Sequence, residues 1–314
     1  MLRQIKGLHH VTSLASHAQP NNQFFTRELG LRRVKKTVNF DAPDVYHLYY
    51  GDEHGTPGSV LTYFPFPGAA RGTPGAGEVA TTAFSVPEAS LAAWADRLAA
   101  YGTPGKHDHR FGENRLIFRG PDGDEFALVE TSDDNRTPFT GNGVAADIAI
   151  RGFHSATMRL TDAAASIALL HFMGYQTAET AGNLTRLRLP SGNGADLIDI
   201  EAIPGANPAR QGAGSVHHLA FAVENRAAQL EVRKALTDAG ASIQIGGVTP
   251  VIDRSYFWSI YFRTPGGVLF EVATNEPGFD RDEDTAHLGQ ALKLPKQHEH
   301  LRAVLERALE PITD

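Results

Sequence analysis

The sequence predicts an α+β protein of four βαβββ modules, paired into two domains and followed by a C-terminal helical tail. Two observations carry this. A segment reading strand, amphipathic helix, Gly and then further strands occurs four times in the 314 residues, and repetition on this scale decides the architecture. Each copy has one helix for three or four strands, too few helices for a parallel doubly wound sheet.

The first module opens with Leu8-His9-His10-Val11-Thr12-Ser13-Leu14. It continues through a helix around 22–29 to Gly30 and adds strands at 46–50 and 59–64. The second opens at 80–86, with a helix over 90–100 capped by Ser90 and stopped at Gly102. The third opens with Phe153-His154-Ser155-Ala156-Thr157-Met158, with Asp162 as N-cap and Gly174 as stop. The fourth opens with His217-His218-Leu219-Ala220-Phe221-Ala222-Val223, and its helix over 227–239 ends at Gly240. β-Branched and aromatic residues mark the strands, and a glycine past each helix supplies the stop. Pro/Gly turns (Thr56-Pro57-Gly58, Gly120-Pro121-Asp122-Gly123, Thr264-Pro265-Gly266-Gly267) precede strands at 59–64, 125–130 and 268–273.

The polar segment 131–144, rich in Asp, Asn, Gly and Pro, is the expected boundary, giving domains 1–140 and 141–314 with two modules each. After Glu276 an acidic run over 280–284 reads as solvated. The helix that follows carries a stripe of Leu301, Val304, Leu305, Ala308 and Leu309, expected to pack across the body.

Composition narrows the chemistry. Twenty-nine Lys+Arg against 36 Asp+Glu gives a net charge of −7, so nucleic acid and anionic membrane surfaces are not expected partners. The absence of Cys excludes disulfides, thiolate metal sites and thiol nucleophiles, leaving nitrogen and oxygen as metal donors. Residues 1–7 lack the apolar core of a signal peptide and no stretch approaches ~18 apolar residues, which points to the cytoplasm.

Alternation along the strands places the candidates. In the fourth module Leu219, Phe221 and Val223 share a face with His217. The other face carries His218 beside the small Ala220 and Ala222, leaving room for a ligand. Glu271 lies in an apolar strand opposite Phe270 and Val272, where a carboxylate needs a partner or a cation. His10, His154 and His218 read as equivalent positions of three modules, with Thr81 in the other. Counting six residues from each turn proline gives Glu271, Ala127 and Tyr63. Two histidines and a carboxylate on an open face fit a site with free coordination positions, with either His10 or His154 completing it. The competing reading is ordinary: strand histidines as hydrogen-bonded core residues, and Glu271 as an edge residue reaching water. The other histidines, His47 among them, have no metal case from spacing.

These residues resemble the vicinal oxygen chelate superfamily, whose βαβββ modules pair into cupped mixed sheets around a metal. More closely, the chain resembles the hydroquinone-type ring-cleaving dioxygenases. The matching stretches are 8–12, 46–50, 55–58, 151–155 and 216–218, then Arg254-Ser255-Tyr256-Phe257-Trp258-Ser259-Ile260-Tyr261 and 263–271, and an acidic tail ending in Leu288-Gly289. The resemblance implies that His10, His218 and Glu271 bind Fe(II), with Mn(II) as the alternative metal, and it selects His10 over His154. It also implies that His9, Thr12, His217, Arg254 and Tyr261 flank the metal or touch substrate, although alternation puts His9 and His217 on the wrong faces unless the strands bulge. The ordinary role of Arg254 is an ion pair with Asp253, and that of Tyr261 is strand packing. The implied reaction opens a hydroquinone ring with O2, on a small aromatic diol, with no nucleic acid or membrane partner and a homo-oligomer as an open state. The rival functions are a glyoxalase-like isomerase, disfavoured by Tyr63 and Ala127 where a further ligand is needed, and a metal-free binding module.

Overall fold

The computed structural model describes residues 1–313. Among the described residues, sixteen strands form two curled mixed sheets of eight, with few helices. The first module supplies β1 (Leu8–Ala15), β2 (Arg32–Val38), β3 (Tyr46–Gly51) and β4 (Val60–Pro65). The second supplies β5 (Glu78–Pro87), β6 (Lys106–Arg110), β7 (Glu113–Arg119) and β8 (Glu125–Thr131). The third contributes β9 (Gly152–Leu160), β10 (Gln176–Ala181), β11 (Leu184–Arg188) and β12 (Leu197–Ala202). The fourth contributes β13 (Val216–Val223), β14 (Ile252–Asp253), β15 (Phe257–Arg263) and β16 (Leu269–Pro277).

Sheet order is β14-β15-β16-β13-β1-β4-β3-β2 in one sheet and β10-β11-β12-β9-β5-β8-β7-β6 in the other. Module one therefore pairs with module four, and module two with module three, rather than each half of the chain closing on itself at 140/141. Within each module the first and last strands run parallel, and the modules join through antiparallel β1/β13 and β5/β9.

Four helices pack on the sheets: α1 (Ala18–Gln23, continued by a π-helical turn at Phe24–Glu28), α2 (Leu91–Ala100), α3 (Ala164–Phe172) and α4 (Arg226–Ala239). One core runs through both sheets, joining Phe24, Phe25, Trp94, Leu169, Leu170 and Leu236 to Phe84, Phe153, Leu219, Phe221 and Phe270. Alternation thus holds as expected, with Leu219, Phe221 and Val223 facing the helices. Ser90 starts α2 but donates to the Pro87 carbonyl and caps no amide, and Asn225 caps α4 by accepting from the Ala228 amide. Gly240 is right-handed, so it is not the left-handed stop expected of it. No helix among the described residues is long and apolar enough to cross a membrane.

The tail departs from expectation in two ways. At α5 (Arg302–Ala308), Leu305 and the following Leu309 pack with Val38, whereas Val304 is 55% exposed and lies off the stripe, as does the exposed Ala308. The acidic run is not simply solvated: Asp282 and Glu283 both take hydrogen bonds from the wholly buried Lys35 of β2, at 2.7 and 2.6 Å. An ammonium with no solvent access needs such partners.

Candidate metal centre

Each doubled histidine sits at a β-bulge. Along β1/β13, Leu8 and His10 oppose the consecutive residues Phe221 and Ala220, so His9 is the extra residue of β1. Thr12 and Ser13 oppose His218 and Val216, so His217 is the extra residue of β13. A bulge turns its residue out of strict alternation, which is how His9 and His217 come beside residues that alternation places on the other face. Each ring meets its neighbour edge-on at 5.1 Å between centroids.

His10 on β1, His218 on β13 and Glu271 on β16 converge. Their Nε2 atoms are 3.3 Å apart, and Glu271 Oε2 lies 3.4 Å from His10 Nε2 and 2.8 Å from His218 Nε2. All three are buried, and among the described residues theirs is the cluster able to hold a metal ion. Ser259 donates to Glu271 Oε1, while Oε2 has no hydrogen-bond partner although buried. An orphaned carboxylate oxygen facing two imidazole nitrogens at these spacings fits a cation. Adjacent donors around an ion at about 2.1 Å lie about 3 Å apart. Burial alone pushes the Glu271 carboxyl up, but His10 and His218 hold it well below the usual carboxylate range.

Hydrogen bonds behind the ligands set their tautomers. His9 Nε2 lies 3.1 Å from the Thr274 carbonyl, which only accepts, so that nitrogen carries the proton. His9 Nδ1 then accepts from His10 Nδ1 at 2.9 Å, and His10 Nε2 keeps its lone pair for the cluster. At the other doubled histidine, Nδ1 of His217 lies 2.8 Å from Nδ1 of His218. Burial lowers His9 to about 3 and His217 to about 4, so both are neutral near pH 7.

A cavity of about 440 Å³ opens over the cluster, lined by His10, His218, Glu271, His217, Arg254 and Tyr261 together with Leu14, Asn39, Phe40, Asp41, His47, Tyr49, Phe64, Phe66, Phe257 and Leu269. Arg254 pairs with Asp41 at 3.2 Å, not with Asp253, and its Nε donates to the Tyr261 hydroxyl at 3.3 Å. Burial raises the Tyr261 hydroxyl above its ordinary range. Two of the expected residues do not line this cavity: His9 lies behind His10, and Thr12 bonds Thr62 Oγ1 at 2.8 Å.

The repeat register corrects two equivalences. In β5/β9 the extra residues are Ala80 and His154, so His154 matches His9 and His217, and Ser155 matches the ligand positions. His154 bonds Glu113 Oε1 at 3.0 Å and stays apart from the cluster. The counterpart of Glu271 in module one is Thr62, paired with Thr12 as Glu271 is with Ala220; Tyr63 faces the core and donates to Asp124. Thr62 is no more a carboxylate than Tyr63, so a fourth protein ligand is absent there. Sequence reasoning missed His47, Tyr49 and the apolar wall. Alternation from His10 and Thr12 reaches Leu14, and from Thr62 reaches Phe64, but loop residues 39–41 carry no such signal.

Comparison with known proteins shows what this chain resembles. The profile of the Glyoxalase/Bleomycin resistance protein/Dioxygenase superfamily matches residues 7–128. The chain is 38% identical to MhqO of Bacillus subtilis (strain 168), named as a ring-cleaving dioxygenase, over 99% of this chain and 98% of that protein. It is 35% identical to the chlorohydroquinone/hydroquinone 1,2-dioxygenase of Sphingobium indicum, over 98% and 96% of the two chains. A crystal structure described as a Bacillus subtilis dioxygenase superposes with a TM-score of 0.93 at 38% identity, over 99% and 98% of the two chains. Glyoxalase I from Zea mays shares the fold, with a TM-score of 0.65 at 12% identity over 86% of this chain and 92% of that one. Fold, paired modules and full-length relatives together place this chain in the glyoxalase/bleomycin resistance protein/dioxygenase superfamily.

Proposed function

We propose that the protein is a non-haem Fe(II) ring-cleaving dioxygenase of the extradiol type, opening hydroquinone-type dihydroxyaromatics with O2. The buried His10–His218–Glu271 cluster beneath a largely aromatic cavity carries the reading. The full-length similarity to a hydroquinone dioxygenase supports the substrate class. Held by these three residues, Fe(II) would supply Lewis-acidic, redox-active chemistry toward a ring hydroxyl and O2. Mn(II) suits the same donors.

The chain's own groups divide the remaining work. Phe64, Phe66 and Phe257 line the space over the cluster and keep water from a flat ring. Arg254, always charged, stabilises negative oxygen as it develops. Arg254 Nε donates to the Tyr261 oxygen and Ser259 lies beside the same hydroxyl, which together hold Tyr261 at the cavity wall where a bound substrate can meet it. His217 lines the cavity; its Nδ1 is taken up by His218, so its Nε2 can exchange a proton there. His9 positions His10 from behind, and Thr12 acts through Thr62.

The test is anaerobic loading with Fe(II), then O2 uptake with hydroquinone and with catechol. The reading expects uptake with hydroquinone and ¹⁸O from ¹⁸O2 in a ring-opened product. Absence of uptake with every dihydroxyaromatic tried refutes it. Loading with Mn(II) in parallel separates the two metals.

A further inference from the structure

The cavity holds a second tyrosine that the reading above leaves unused. In the sheet, β15 carries Tyr261 on one side of the cluster strands β16, β13 and β1, and β3 carries Tyr49 on the other. Tyr49 lines the cavity although its side chain is almost wholly buried. Tyr49 shares the wall of this cavity with Arg254, Glu271 and Tyr261.

Behind Tyr49 stands His47, clamped between the rings of Tyr49 and Phe64 at 4.1 Å from each. His47 Nδ1 is 2.8 Å from the Tyr49 hydroxyl and Nε2 is 2.9 Å from Thr62 Oγ1, which meets Thr12 Oγ1 at 2.8 Å. Every link in this chain can run either way. With the proton on Nε2, His47 accepts from Tyr49, and the Tyr49 oxygen is left to accept from a substrate hydroxyl. With the proton on Nδ1, His47 donates to Tyr49, and the Tyr49 proton is left to be given to substrate.

We propose that Tyr49, set by His47, is a second substrate-reading residue, hydrogen-bonding a ring hydroxyl from the wall opposite Tyr261. Burial keeps both groups neutral, lowering the imidazole and raising the phenol, as a reversible neutral hydrogen bond requires. A ring with two hydroxyls can give one to the metal-side contacts and one to Tyr49, whereas a ring with one hydroxyl satisfies only a single set. The pair thus selects diols over monophenols. This inference rests on the dihydroxyaromatic reading of the cavity.

The experiment compares Tyr49→Phe and His47→Gln with wild type, each loaded anaerobically with Fe(II). It measures equilibrium binding of hydroquinone and of phenol without O2, then kcat and KM for hydroquinone. Tyr49→Phe keeps the ring and should retain full iron content. Losing one neutral hydrogen bond should weaken hydroquinone binding about tenfold and leave phenol binding unchanged. His47→Gln should give a smaller loss of the same sign. If wild type turns over hydroquinone and Tyr49→Phe binds both ligands as wild type does, this inference is overturned and the dioxygenase reading stands. If wild type neither binds nor consumes any diol, both fall.

Discussion

At the scale of single residues, the site rests on displacing two histidines by one position. His9 and His217 occupy bulges, and from there each engages the Nδ1 of the next histidine. Whereas only the family resemblance chooses His10 over His154, alternation could put His218 with Ala220 and Ala222, and Glu271 opposite Phe270 and Val272. It could not place His9 and His217, since a bulge depends on the neighbouring strand and leaves no mark in local sequence. The same effect misaligned His154, which takes the bulge position in the other sheet. There, Glu113, Arg186 and Asp199 form ion pairs around it instead of a metal cluster. Burial pushes the Glu113 carboxyl up, but His154 and Arg186 overcome this and hold it at about 2. A carboxyl depressed on folding adds stability above its unfolded value near 4.5, and that stability is lost as pH falls toward about 2. Glu113→Gln should therefore cost roughly 2 kcal/mol at pH 7, allowing for partial exposure, with the gap closing between pH 4.5 and 2. Urea titrations of both proteins across that range measure it; a gap independent of pH would contradict the assignment.

At the scale of elements, the strand β2 escaped prediction, and the reason is physical. Its sequence, Arg32-Arg33-Val34-Lys35-Lys36-Thr37-Val38, looks like a solvated basic run. Yet Arg32, Arg33 and Lys35 are all buried. Beside Glu53 on Arg32 and Asn22 on Arg33, partners arrive from the far end of the chain: the Thr285 carbonyl on Arg32, the Gly289 carbonyl on Arg33, and Asp282 with Glu283 on Lys35. Neither half is legible alone, because each set of charges reads as surface until the tail is laid on the strand. Glu283 also accepts from the Gly289 and Ala291 amides, so it holds the tail's own turn. Glu283→Ala should cost about 3 kcal/mol by stripping a partner from a buried ammonium, seen as a fall in Tm. Adding Lys35→Met should recover part of that loss, because the uncompensated charge then disappears. A double variant no more stable than Glu283→Ala would show that the buried charge is not the cause.

At the scale of the whole molecule, repetition made four modules visible, but not which modules share a sheet. Each module exposes a first strand able to pair with any other, and joining β1 to β13 closes a contact across some 200 residues that no local signal records. This pairing makes the centre: His10 comes from the first module, and His218 and Glu271 come from the fourth. The intervening modules form a second cup of the same topology, filled by ion pairs. If the protein is the dioxygenase proposed above, the cup built from the chain's two ends holds the metal and performs the chemistry. Iron content and hydroquinone-dependent O2 uptake in His10→Ala and His154→Ala, each loaded anaerobically with Fe(II), test it most directly. His10→Ala should lose iron and turnover while His154→Ala keeps both; iron and turnover retained in His10→Ala and lost in His154→Ala would move the metal to the other cup.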